Sequence, residues 1–166
     1  MCVDGLMIFE HENSYVKQIM LYYKNEDYEK ACDLCREFAA QFPKSLMSHY
    51  LLAKSCYRKR DFPAALMEGH RAFNLADSDE DKVATAVFIA CVCYELRRFT
   101  NAYEILKSIE SINDARVEQA LIIFSLITNQ PETSMLHIDA LYKINRDVAD
   151  QFVTKALDIL GQQTPA

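Results

Sequence analysis

Residues 22–38 read YYKNEDYEKACDLCREF, residues 56–73 read CYRKRDFPAALMEGHRAF, and residues 93–109 read CYELRRFTNAYEILKSI. Each carries an aromatic residue followed three positions later by alanine: Tyr28 and Ala31, Phe62 and Ala65, Phe99 and Ala102. The aromatic anchors are 34 and then 37 residues apart, and the acidic connector ADSDEDK, Ala76 to Lys82, takes up the three extra residues. Five positions before each anchor stands tyrosine (Tyr23, Tyr57, Tyr94), and nine before it a small or aliphatic residue (Ile19, Ala53, Ala90). The same pattern three times in register marks an internal repeat.

Helix-period apolar residues run through each half of the repeat, as in Tyr50, Leu51, Ala53, Cys56 and Tyr57, then Phe62, Ala65, Leu66 and Ala72. Each half-repeat is therefore expected to be a helix that buries more than one face on its neighbours. Asp27 and Asp61 precede the first two anchors, where a carboxylate caps a helix and meets its positive end. Only three glycines and four prolines interrupt 166 residues, which favours long helices joined by short turns.

The spacing, the small phased residues, the anchors and Pro43 resemble the tetratricopeptide repeat, a helix–turn–helix unit of 34 residues, over residues 12–113. Ile19 and Gly69 depart from its consensus, Asp77 and Asp114 stand where counterparts of Pro43 would be, and the tryptophan-like position holds Tyr15, His49 and Ala86. The resemblance implies an all-α, right-handed solenoid. The expected organisation is a lead-in at 1–11, repeats at 12–45, 46–79, 83–116 and a degenerate fourth at 117–145, a capping helix at 146–160, and a flexible tail at 161–166. Val148, Phe152, Ala156 and Ile159 form the apolar stripe of the capping helix.

The C-x-x-C of Cys32 and Cys35 raises a rival reading as a metal or redox site. A zinc site needs two further ligands, yet Cys56, Cys91, Cys93, His11, His49, His70 and His137 form no second C-x-x-C and no H-x3-H pair. A thioredoxin-like motif needs a helix N-terminus at the first cysteine, whereas the helix here begins near Asp27. Both cysteines are read as small core residues, as are Cys56 and Cys93. Asp77, Asp79 and Asp81 alternate like a calcium loop, but Lys82 and Phe88 stand where it needs glycine and glutamate. No catalytic residue, cofactor or metal site is expected, and a thiol or metal enzyme remains the rival class.

A net charge of −6 and a pI near 5.2 disfavour nucleic acid and anionic membrane as partners. The longest apolar run, Ala84 to Tyr94, is far short of the ~20 residues that span a bilayer. The N-terminal MCVDGLMIFEHE lacks the basic region of a signal peptide, so a cytoplasmic or nuclear setting is expected.

In tetratricopeptide arrays the first helices line a concave groove for peptides or helices. By that resemblance the groove residues are Val16, Met20 and Tyr23; Tyr50, Lys54 and Tyr57; and Val87, Cys91 and Tyr94. Of the cations and amides with which some members clamp a terminal carboxylate, only Lys54 is present. An apolar, tyrosine-rich groove suits an amphipathic helix or apolar segment. Arg58, Lys59 and Arg60 with Arg97 and Arg98 form a candidate edge for an acidic partner.

The expected function is a non-enzymatic interaction module, a scaffold or adaptor in a multiprotein complex. HYLLAKSCYRKRDF and CVCYELRRFTNAYEILKS are loosely similar to scaffold subunits of the anaphase-promoting ubiquitin ligase. A free chaperone of the tetratricopeptide class is the alternative. The ALIIFSLI run and the last helix leave apolar surface, so a homodimer or larger assembly is also expected.

Overall fold

A computed structural model describes residues 3–163, with side chains described from 11 to 155. Among the described residues there are nine α-helices and one 3-10 turn, and no strand. The chain divides into two compact units, Met1–Leu96 and Arg97–Ala166.

The first unit holds α1 (Val3–Lys24), α2 (Tyr28–Gln41), α3 (Leu46–Arg58), α4 (Phe62–Asn74) and α5 (Asp79–Glu95), each packed on the next. The second holds α6 (Phe99–Lys107), a 3-10 turn (Glu110–Ile112), α7 (Ala115–Ile127), α8 (Pro131–Ile144) and α9 (Arg146–Gln163). Here α6 packs on α7, α7 on α8, and α8 on α9. Helix α1 begins nine residues ahead of Glu12, at Val3, so the segment read as a lead-in continues the first helix. Helix α9 runs to Gln163; the side chains of Ala156 and Ile159, Cys2, and residues 164–166 of the tail lie outside the described residues.

Local chemistry sets the boundaries. Asp27 accepts from the Lys30 N–H and Asp61 from the Ala64 N–H, the two caps expected from the sequence. Ser78 caps α5 through the Asp81 N–H, and the acidic residues after it stand in the first helical turn, against its positive end. The ADSDEDK connector is thus a capped helix start rather than a calcium loop.

Each first helix ends the same way. Glu26, Arg60, Arg97 and Asn129 have φ of 58°, 63°, 56° and 58°, one left-handed residue just before each second helix. After α1, α3 and α7 the following amides, Asp27, Asp61 and Gln130, reach back to the Tyr22, Cys56 and Ser125 carbonyls. This is the Schellman termination, made here without glycine.

The small phased residues are buried as expected: Ile19, Ala53, Ala31, Ala65 and Ala102 are at 0 % exposure and Ala90 at 1 %. The core of the first unit joins Ile19, Cys32, Cys35, Phe38, Leu51, Leu52, Cys56, Ala65 and Val92. Gly69 has a packing reason to depart from the consensus. A Cβ there would lie 3.1 Å from Cγ1 of Ile89, so α4 and α5 approach closely at that point. The core of the second unit joins Ile122, Leu141 and Ala149, with Val148 and Phe152 of α9 packed against it.

Ala65→Leu is expected to cost about 1–3 kcal/mol by overpacking the α4 contact. A thermal melt matching wild type would refute the packing assigned to this position.

Candidate functional site

The first helices of the first unit lie beside one another. The Tyr23 hydroxyl of α1 meets Ser55 Oγ of α3 at 2.8 Å, and the Tyr57 hydroxyl of α3 donates to Glu95 Oε1 of α5 at 3.2 Å. Phe88 of α5 receives Tyr50 and Tyr57 edge-on, with ring centroids 5.7 and 5.9 Å apart. These contacts hold α1, α3 and α5 as one row.

The nine groove residues fall on that row and divide into two kinds. Met20, Lys54, Cys91 and Tyr94 are exposed; Val16, Tyr23, Tyr50, Tyr57 and Val87 are half-buried. Tyr23 belongs mainly to the packing: burial pushes its hydroxyl up to about 12, with the Ser55 hydrogen bond pulling the other way. Tyr57 is engaged by Phe62 and Phe88 as well as Glu95, and burial, then Glu95, raises its hydroxyl. Lys54 carries its ammonium 5.4 Å from the centroid of the Tyr50 ring, a cation–π contact that holds a positive charge at the surface. The accessible chemistry is therefore a thioether, a phenol and a thiol around one ammonium.

The basic residues of the candidate edge are shared between the two units. Arg58, Lys59 and Arg60 belong to the first unit, whereas Arg97 and Arg98 belong to the second. Lys59 is committed to Glu29 at 2.6 Å.

The cysteines answer the C-x-x-C question. Cys32, Cys35, Cys56 and Cys93 are buried, and all five described cysteines are free thiols. Burial pushes Cys35 up to about 11 and Cys56 to about 12, the reverse of what a reactive thiolate needs. Cys35 Sγ lies 3.3 Å from Ser55 Oγ, which places it among the groups that join α2 to α3.

Sequence reading missed two buried histidine–carboxylate pairs. His49 Nδ1 is 2.7 Å from Glu68 Oε2 and its Nε2 is 3.0 Å from the Pro43 carbonyl. His137 Nδ1 is 2.8 Å from Glu118 Oε2. Each pair spans 19 residues and joins the two helices of one hairpin, α3 to α4 and α7 to α8. The order is reversed: histidine comes first in one and glutamate first in the other. Continuing the repeat phase from His49 into α7 would have placed Glu118 at the tryptophan-like position.

His49 and Glu68 also line an open pocket of about 590 Å³ with Arg36, Pro43, Leu52 and Arg71. Both guanidiniums there are already paired, Arg36 with Asp33 and Arg71 with Glu68, so the pocket presents no built anion site.

Helical hairpins repeating with a shared termination and buried, mostly small residues at the phased positions define a tetratricopeptide-type helical repeat fold. Residues 5–68 match the sequence model of a family described as anaphase-promoting complex, cyclosome, subunit 3. No curated protein matches the sequence. Among solved structures, yeast Tom70 superposes with a TM-score of 0.72 at 18 % identity, over 92 % of this chain and 33 % of its own. The hetero-tetramer Cut9–Hcn1 of APC/C gives 0.69 at 18 % identity, over 88 % of this chain and 30 % of that one. MamA from Desulfovibrio magneticus RS-1, residue 41 to its end, gives 0.67 at 12 % identity, over 93 % and 97 %. At these identities the likeness establishes the fold. No helix among the described residues is long and apolar enough to cross a membrane.

Proposed function

We propose that this protein is a non-enzymatic interaction module, a scaffold or adaptor subunit of a multiprotein assembly, that receives an amphipathic helix or apolar segment along α1, α3 and α5. The observation that carries this reading is the exposure of Met20 and Tyr94, 56 % and 52 %, on the row of first helices that also presents Lys54 and Cys91. Large apolar side chains left open on a rigid row supply contact area, and the ammonium of Lys54 favours a partner with a carboxylate beside its apolar face. Support for the scaffold version comes from the match of residues 5–68 to the anaphase-promoting complex subunit and from the likeness to Cut9 in its hetero-tetramer.

Because Tyr57 is built into the α3–α5 contact, the deciding variant is Met20→Glu/Tyr94→Glu, at the two exposed positions. Affinity capture from native extract, with both proteins verified folded by circular dichroism, is expected to recover specific partners with wild type and to lose them with the variant. Partners retained by the variant would remove the groove from the proposal. Light scattering on the same preparations tests self-association. A one-chain mass at high concentration would show that the exposed Ile123, Leu126 and Ile127 of α7 do not join a second copy.

A further inference from the structure

The two buried histidine pairs serve as each other's control. In the first unit the pair is complete. His49 has both ring nitrogens engaged, Glu68 Oε1 takes the Arg71 guanidinium at 2.7 Å, and one carboxylate faces two potential cations. In the second unit the third group beside the pair is a carboxylate instead of a guanidinium. Glu110 Oε1 lies 3.7 Å from His137 Nδ1, beside Glu118 Oε2 at 2.8 Å. The other ring nitrogen, His137 Nε2, is buried with no hydrogen-bond partner. It is Nδ1, and not this nitrogen, that faces both carboxylates, so one imidazole edge meets two acidic groups where His49 meets one.

We propose that Glu110, Glu118 and His137 form a binding site for a divalent cation of the zinc class. One donor atom from each lies within 4.8 Å of the others, and the side chains of Glu118 and His137 are 3 % and 4 % exposed. Ligands at about 2.0–2.2 Å from a shared ion stand roughly 3–4 Å apart, so a small inward movement closes the set. Glu110 can make that movement because its side chain is 37 % exposed, at the rim. An imidazole nitrogen with two carboxylates favours zinc-like ions over calcium or magnesium, and three protein ligands leave a position for water.

The charges also favour the ion. Two carboxylates converge on one imidazole, so the cluster is anionic unless the ring and Lys107 both offset it. Lys107 Nζ now sits 2.7 Å from Glu110, a half-exposed competitor on a flexible stem. When the ion binds, it takes Nδ1 in place of a proton, which passes to solvent; the ring stays neutral with its hydrogen on Nε2. The ligands come from the 3-10 turn, α7 and α8, which is why no ligand spacing shows in the sequence.

The test titrates Co2+ as a spectroscopic stand-in, and Zn2+ for stability, into the chelator-stripped 166-residue chain. Wild type is expected to bind one equivalent of Co2+ with visible ligand-field bands and no near-ultraviolet thiolate band. Zn2+ should raise the melting temperature, reversibly with chelator. Glu110→Gln decides the matter, since it removes a rim ligand without disturbing the buried pair; its affinity should fall at least about tenfold. Lys107→Ala, which removes the competitor, should bind more tightly than wild type. The proposal is overturned by no saturable binding, by wild-type affinity in Glu110→Gln, by weaker binding in Lys107→Ala, or by a thiolate band that disappears on alkylation.

Discussion

Glu68→Ala is expected to lower the stability of the chain by about 1–3 kcal/mol, the range for leaving a buried polar group without its partner. Glu68 is 4 % exposed and uses both oxygens, one on His49 and one on Arg71. Removing it leaves the His49 Nδ1 buried and unpartnered, and that desolvated nitrogen accounts for most of the loss. Arg71 behaves differently, because its side chain is 55 % exposed and water replaces the lost partner. Arg71→Ala should therefore cost about 1 kcal/mol or less. Replacing both buried partners with apolar residues of similar size, His49→Leu/Glu68→Met, should recover much of the loss. Denaturant unfolding followed by circular dichroism measures all three. Equal losses in Glu68→Ala and Arg71→Ala would refute the role given to burial.

Phe38→Ala carries the other large effect. Phe38 is at 0 % exposure, stacks on Tyr15 with centroids 5.0 Å apart and 4° between planes, and meets Phe42 edge-on at 5.5 Å. Truncation removes the ring from the centre of the first core and leaves a cavity, a change worth about 3–5 kcal/mol. Tyr15→Phe keeps the stack and loses only the exposed hydrogen bond to Glu37, at 2.8 Å, so about 1 kcal/mol or less is expected. The same unfolding measurement applies. A Phe38→Ala loss no larger than that of Tyr15→Phe would mean that the α1–α2 core is not assembled around this ring.

The groove shows where sequence reasoning stops. Helical phase places Tyr23, Tyr57 and Tyr94 on corresponding positions, yet Tyr23 is drawn into hydrogen bonding with Ser55 and Tyr57 sits between Phe62 and Phe88, while Tyr94 remains 52 % exposed. Identical repeat positions differ because their neighbours differ. Two of those neighbours, Ser55 and Phe88, come from helices more than 30 residues along the chain and carry no periodic signal at the tyrosine itself.

What the chain could announce without its structure were the properties decided within a few turns of helix: the repeat period, the Asp27 and Asp61 caps, the alanines that let helices approach, and the core placement of Cys32 and Cys35. Each follows from residue size, backbone geometry and a local hydrogen bond, all legible at short range. Only the tertiary structure decided the two buried histidine–glutamate pairs, their reversed order, and the meeting of Glu110 with Glu118 and His137. Those depend on which faces of separate helices are pressed together, and on charge held out of water, which no single stretch of sequence encodes.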